Sequence, residues 1–184
     1  MTIPPKLSVE KQILLDALIN IDVIKWGEFT LRSGEVSPIY IDCRAIISYP
    51  PLLRNIANAL WDKVKHLKPS LLCGVPYTAL PMATAISLEQ DIPMLMCRKE
   101  AKDYGTKKQI EGIYQSGQDC LIIEDVVTTG DSVLQIAELL KNQGLQVKNI
   151  VVLVDRQQGG KEALMAAGYQ LHSIYTLDEI LQPL

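Results

Sequence analysis

Two adjacent acids, Glu124 and Asp125, stand just before a turn of small and hydroxyl-bearing residues, Thr128-Thr129-Gly130-Asp131-Ser132. A turn of this kind entering a helix aims backbone N–H groups and the positive end of the dipole at one point, which suits a phosphate. The acids would repel that phosphate. They suit a sugar diol, through accepted hydrogen bonds, or a divalent cation. A sugar phosphate reconciles the two halves, whereas an ordinary βα unit would simply leave its acids solvated. Two other phosphate motifs are excluded. The chain has no Gly-Lys-Ser/Thr of a nucleotide-triphosphate loop and no Gly-x-Gly-x-x-Gly following a strand.

Three further stretches carry chemistry. Arg98 to Lys108 holds five basic residues in eleven, with Asp103, Tyr104 and Gly105 among them. Charge runs are commonly solvated loops, but this one starts directly after an apolar strand-like run. A polyanion at that edge would meet cations fixed by the strand and more on a loop able to close over it, and a diphosphate is the natural match. Gly74-Val-Pro-Tyr-Thr78 is a turn after a short apolar run, the form of an ordinary βα loop. Asp155-Arg156 ends the most β-rich run, where arginine offers a planar fork for a carboxylate or ring carbonyl. The plainer role for that arginine is a surface salt bridge with Asp155 or a neighbour.

The elements that would position these residues alternate. Ser8 caps a first helix with Val9, Ile13, Leu14, Ala17, Leu18 and Ile21 at helical spacing, although Lys11 occupies the capping-box position. Phe29 to Leu31, a turn at Ser33-Gly34, and Ile39 to Ile41 predict a small hairpin, a lid or hood drawn largely from residues 22–45. Helices follow over roughly 52–66 and 79–88, strands at 71–73 and 92–97, and a returning strand at 111–114. The strand at 120–123 and its helix precede a strand at 147–154, a short helix, a strand at 169–174 and a last helical turn at 177–181. This alternation predicts an α/β fold in a single domain over 1–184, a mostly parallel central sheet flanked by helices.

Composition bounds the remaining choices. Hydrophobic content of 48% and charged content of 21% are ordinary for a globular chain of 184 residues. A net charge of −3 argues against a general nucleic-acid binder, and no apolar run approaches membrane-spanning length. Cys43, Cys73, Cys97 and Cys120 are widely spaced, which suits core thiols in a reducing compartment better than disulfides or metal ligands. His66 and His172 lack ligand-like spacing. With no leader sequence at the start, the cytoplasm is the expected location.

Glu124 to Ser132 closely resembles the phosphoribosyl-diphosphate signature of the type I phosphoribosyltransferases. Phe29-Thr-Leu-Arg-Ser-Gly34, Ser37-Pro-Ile-Tyr-Ile41, Gly74-Val-Pro-Tyr77, Arg98-Lys-Glu-Ala-Lys-Asp103 and Asp155-Arg156 narrow the resemblance to orotate phosphoribosyltransferase. The wording is especially similar to the domain fused to a decarboxylase in animal uridine monophosphate synthase. The resemblance implies transfer of ribose 5-phosphate from phosphoribosyl diphosphate to orotate, giving orotidine 5′-monophosphate and diphosphate, with Mg²⁺. It implies that Glu124, Asp125, Val126, Val127, Thr128, Thr129, Gly130, Asp131 and Ser132 bind the ribose 5-phosphate. Arg98, Lys99, Lys102 and Tyr104 would bind diphosphate, with Lys102 and Asp103 catalytic. Arg32, Tyr40, Ile41, Thr128 and Arg156 would form the orotate site, and Tyr77 and Thr78 are possible substrate contacts. No direct protein ligand to the metal is implied, since substrate diphosphate and ribose hydroxyls would hold it. A homodimer sharing the basic loop is implied too. Tyr104 stands where many bacterial relatives carry His, and Thr78 where they carry Lys, so those two roles do not transfer intact. With the chain ending at Leu184, the decarboxylation step is expected from another polypeptide.

Two other functions fit the same fold. One is a phosphoribosyltransferase for another base: a purine enzyme would need no cation for a base carboxylate, which makes Arg156 the discriminating residue. A phosphoribosyl-diphosphate-binding regulator without turnover would need no loop to release diphosphate, against which the basic run Arg98 to Lys108 argues.

Overall fold

The computed structural model describes residues 7–30, 34, 36–98 and 109–182. Expectations placed on Arg32, Lys99, Lys102, Asp103 and Tyr104 lie outside the described residues. Helix α1 (Val9–Asn20) begins at Ser8, whose hydroxyl accepts from the backbone N–H of Lys11. The capping signature stays half-complete, and Lys11 instead pairs at 2.8 Å with Glu179 in the last helix. Spacing alone misjudged the face of α1. Leu14, Leu15 and Leu18 are buried, whereas Val9 and Ile13 are exposed.

Strands β1 (Ile24–Thr30) and β2 (Val36–Ile41) form the expected antiparallel hairpin, with Trp26 opposite Ile39 and Thr30 opposite Val36. The pairing starts earlier than Phe29, because Ile24 and Lys25 already pair with Ile41 and Tyr40. A 3₁₀ turn (Cys43–Ser48) leads to α2 (Pro50–Val64), whose Pro50-Pro51 start needs no backbone N–H donors at the first turn. The chain then alternates: β3 (Leu71–Gly74), α3 (Ala79–Gln90), β4 (Met94–Cys97), β5 (Ile110–Glu111) and β6 (Cys120–Val127). It closes with α4 (Asp131–Asn142), β7 (Asn149–Asp155), α5 (Gly160–Ala166), β8 (Gln170–Thr176) and α6 (Leu177–Ile180).

The main sheet has the order β5-β4-β3-β6-β7-β8, all parallel except the edge strand β5. The expected strand at 111–114 is a correction: β5 comprises only Ile110 and Glu111. Gly112 turns away at φ 116°, and a side chain there would meet Leu95. Consecutive residues of β6 and β7 serve opposite cores. Leu121, Ile123, Val151 and Leu153 pack with α1, α2, α3 and the hairpin. Ile122, Ile150 and Val152 pack with α4 and α5. Burial on both faces explains why these strands read as unbroken apolar runs. All four cysteines are free and buried, as expected for core thiols. The histidines, distant in sequence, meet edge to face at 6.4 Å, and His172 Nε2 lies 2.9 Å from Asn149 Oδ1. Among the described residues, no helix is long and apolar enough to cross a membrane.

Candidate active site

Successive connections run outward in opposite directions from β3 and β6, so a crevice opens at their carboxyl ends, where open α/β sheets bind ligands. The motifs carried by β3, β4, β6 and β7 arrive at this end. Strand β6 delivers the two acids. Glu124 is buried and its carboxylate accepts from the backbone N–H of Asp125 at 2.9 Å. The turn that follows the hairpin brings Cys43 against them. Burial, then the carboxylates of Asp125, Asp42 and Glu124, push its thiol well above the usual range. Asp42 in turn is held below the usual carboxylate range, chiefly by its side-chain bonds to Arg44, whose two nitrogens lie 2.7 Å from its two oxygens.

Beyond β6, Gly130 takes φ 87° and starts α4 without a side-chain cap, which leaves the first N–H groups of the helix available to an anion. Thr129 donates to Asp131 at 2.8 Å, and Thr128, Thr129, Asp131 and Ser132 are exposed. Val127 is buried beneath the turn and Val126 half-buried. The turn rests on Gly160, at the start of α5. A Cβ on Gly160 would collide with the Thr128 carbonyl and lie 2.5 Å from Val127 Cγ1. The sequence pattern shows only a short helix there, and the close approach depends on tertiary packing.

Strand β3 ends in Gly74, where a Cβ would lie 2.9 Å from the Ala79 carbonyl, so the turn folds tightly onto α3. The Val75 N–H donates to Ile123 O at 2.9 Å, which keeps this turn beside β6. Tyr77 is exposed and Thr78 precedes α3 without capping it. At the end of β4, Arg98 N–H donates to Gln109 O at 2.8 Å, joining the two stems of the basic stretch. Its guanidinium reaches Glu111 through Nε at 2.9 Å, a partner that sequence reading missed. The acid-glycine pair Glu111-Gly112 closing the basic stretch was its only signal. A cavity of about 490 Å³ is lined by Arg98, Val75, Pro76 and Ser132.

Arg156 is not at the surface and its described bond is not to Asp155. Only 5% of it is exposed, its N–H donates to Val127 O at 2.9 Å, and Nη2 donates to Ser37 Oγ at 3.0 Å. Asp155 accepts from the N–H of Gln157 instead. Ser37 comes from β2, so the hairpin and the main sheet meet at this arginine. On β2, Ser37, Ile39 and Ile41 face inward, while Tyr40 faces the other way with its ring centroid 5.6 Å from that of Phe29. The side chains of Tyr40 and Ile41 therefore point to opposite faces of β2.

A model of the phosphoribosyl transferase domain family matches residues 44–168. The chain is 49% identical over 170 residues to uridine 5′-monophosphate synthase of Bos taurus, covering 91% of this chain but 35% of that protein. It is 43% identical over 184 residues to orotate phosphoribosyltransferase of Chlamydia caviae, covering 97% of this chain and 89% of that one. The crystal structure of orotate phosphoribosyltransferase from Aeropyrum pernix superposes with a TM-score of 0.81 at 30% identity, covering 92% and 97% of the two chains. The fold is that of the type I phosphoribosyltransferases, and the chain belongs to the orotate phosphoribosyltransferase family.

Proposed function

We propose that this chain transfers ribose 5-phosphate from 5-phospho-α-D-ribose 1-diphosphate to orotate, in the pyrimidine pathway to uridine monophosphate. The bond from the anomeric carbon to diphosphate breaks, a bond to orotate nitrogen forms, and that nitrogen gives up its proton. The observation that carries this reading is the single ledge where Glu124 and Asp125, the uncapped start of α4 and buried Arg156 converge. The Thr128 to Ser132 turn holds the 5′-phosphate through backbone and hydroxyl donors. Glu124 and Asp125 accept from the ribose hydroxyls and favour positive charge developing on the sugar ring. Arg156 takes the base carboxylate, with Arg32, Tyr40, Ile41 and Thr128 around the ring. Arg98, Lys99, Lys102 and Tyr104 take the leaving diphosphate, with Lys102 and Asp103 as the catalytic residues.

Mg²⁺ belongs to this reading. Among the described residues no group of three or more His, Cys, Asp or Glu could hold a metal ion. The hard carboxylate oxygens of Glu124 and Asp125 suit a cation held mainly by the substrate's own oxygens. When bound, Mg²⁺ neutralises charge on the diphosphate. A homodimer sharing the basic loop and a cytoplasmic location complete the proposal, the latter supported by four free thiols. The test is a panel of bases with phosphoribosyl diphosphate and Mg²⁺, following diphosphate release. Orotate is expected to give release; silence with orotate alongside release with a purine would overturn the proposal.

A further inference from the structure

We infer that Ser37 is a positioning residue for base recognition, its hydroxyl aiming the guanidinium of Arg156 from the opposite side of the crevice. The inference deepens the orotate reading and rests on it. Ser37 and Arg156 are separated by 119 positions in sequence and are 4% and 5% exposed, so their 3.0 Å bond is made away from bulk water. The hydroxyl hydrogen is already committed: Ser37 Oγ donates to Ile39 O at 2.7 Å. Its lone pairs therefore face Arg156 Nη2 and the Ile39 N–H, which approaches at 3.3 Å. An arginine can only donate, so the direction of this relay is forced.

Both ends of the relay are rooted in regular structure. Ile39 pairs with Trp26 across the hairpin, and the Arg156 backbone is tied to Val127, one residue before the phosphate turn. The guanidinium is thus held by its main chain to the sugar-phosphate half and by its fork to the hood. A long side chain with several rotatable bonds is reduced to one orientation before a planar carboxylated ring arrives, which removes ordering from the binding step. Ser37 touches no substrate in this account; it acts through Arg156.

Steady-state kinetics on wild type, Ser37→Ala, Arg156→Lys and the double variant test the inference. Ser37→Ala is expected to raise KM for orotate about 10-fold, the order of one buried hydrogen bond. KM for phosphoribosyl diphosphate should move less than about 2-fold. In the Arg156→Lys background the same change should add little, because the partner is already lost. Ser37→Cys, which substitutes a weak acceptor, is read in parallel and should show the same orotate-specific rise, so the outcome does not depend on one variant folding. Equal rises in both KM values, or additive effects in the double variant, would overturn the role. Wild type inactive with orotate would point to the function reading instead, whereas an active wild type with Ser37→Ala unchanged would sink this inference alone.

Discussion

Arg156 and Arg98 each leave the carboxyl end of a parallel strand in one sheet, yet their surroundings differ. Arg156 is buried and gives Nη2 to the neutral hydroxyl of Ser37. Arg98 has a side chain 36% exposed and gives Nε and Nη2 to one carboxylate oxygen of Glu111. A bond to a neutral hydroxyl orients a guanidinium without itself cancelling charge. A carboxylate both orients and neutralises, and water screens the pair. The Arg156 corner thus suits a small anion recognised by shape, and the Arg98 corner a polyanion strong enough to compete with Glu111. Equal charge at equivalent strand ends of one sheet does not mean equal work.

The largest effect expected on this contrast comes from Arg156→Ala. Removing a buried, hydrogen-bonded cation should lower kcat/KM for orotate by about 100-fold or more, while phosphoribosyl diphosphate binding, read by calorimetry, changes little. A comparable loss for both substrates would erase the distinction between the two corners. Next comes Gly160→Ala, between them in the fold. Overpacking against Thr128 and Val127 should cost about 2 kcal/mol in denaturant unfolding and raise KM for phosphoribosyl diphosphate. Unchanged stability would mean the turn shifts freely.

Glu111→Gln should be milder, about 3-fold on KM for phosphoribosyl diphosphate, because the pair is half-exposed. Its effect should shrink between low and high salt, whereas the Ser37 effect should not; equal salt dependence would contradict the burial contrast. The smallest effect lies remote from both corners. Burial alone would raise the Glu179 carboxyl, but the bond from Lys11, with backbone and hydroxyl donors at Thr176, holds it below its usual range. The linked stability is therefore present above the unfolded carboxyl value and lost as pH falls through the lowered folded value. Melting of Lys11→Met against wild type should differ by about 0.5 kcal/mol at neutral pH and converge in acid. A gap that widened in acid would reverse the sign.

Much of this architecture was legible because its signals are local. Cys120 to Val133 announces strand, turn and helix within one stretch, and the apolar runs of β6 and β7 follow from burial on two faces. What escaped depended on contacts across the fold. Val9 and Ile13 share helical spacing with Leu14 and Leu18, and only tertiary packing decides which stripe turns inward. The strand expected at 111–114 was stopped by a backbone conformation at Gly112 that its apolar neighbour Ile113 did not advertise. Ser37 and Glu111 were visible as residues but not as partners, since nothing near either in sequence names an arginine.

The two cores divided by the sheet give the molecule an uneven way to come apart. The phosphate turn leads into α4 and touches Gly160 of α5, whereas the hairpin carrying Ser37 packs with α1 and α2 on the other face. Local opening of one face need not open the other. A molecule whose hairpin has lifted keeps a formed anion site but has lost the brace on Arg156. The anion turn and the brace on Arg156 thus belong to different cores and are lost separately rather than together.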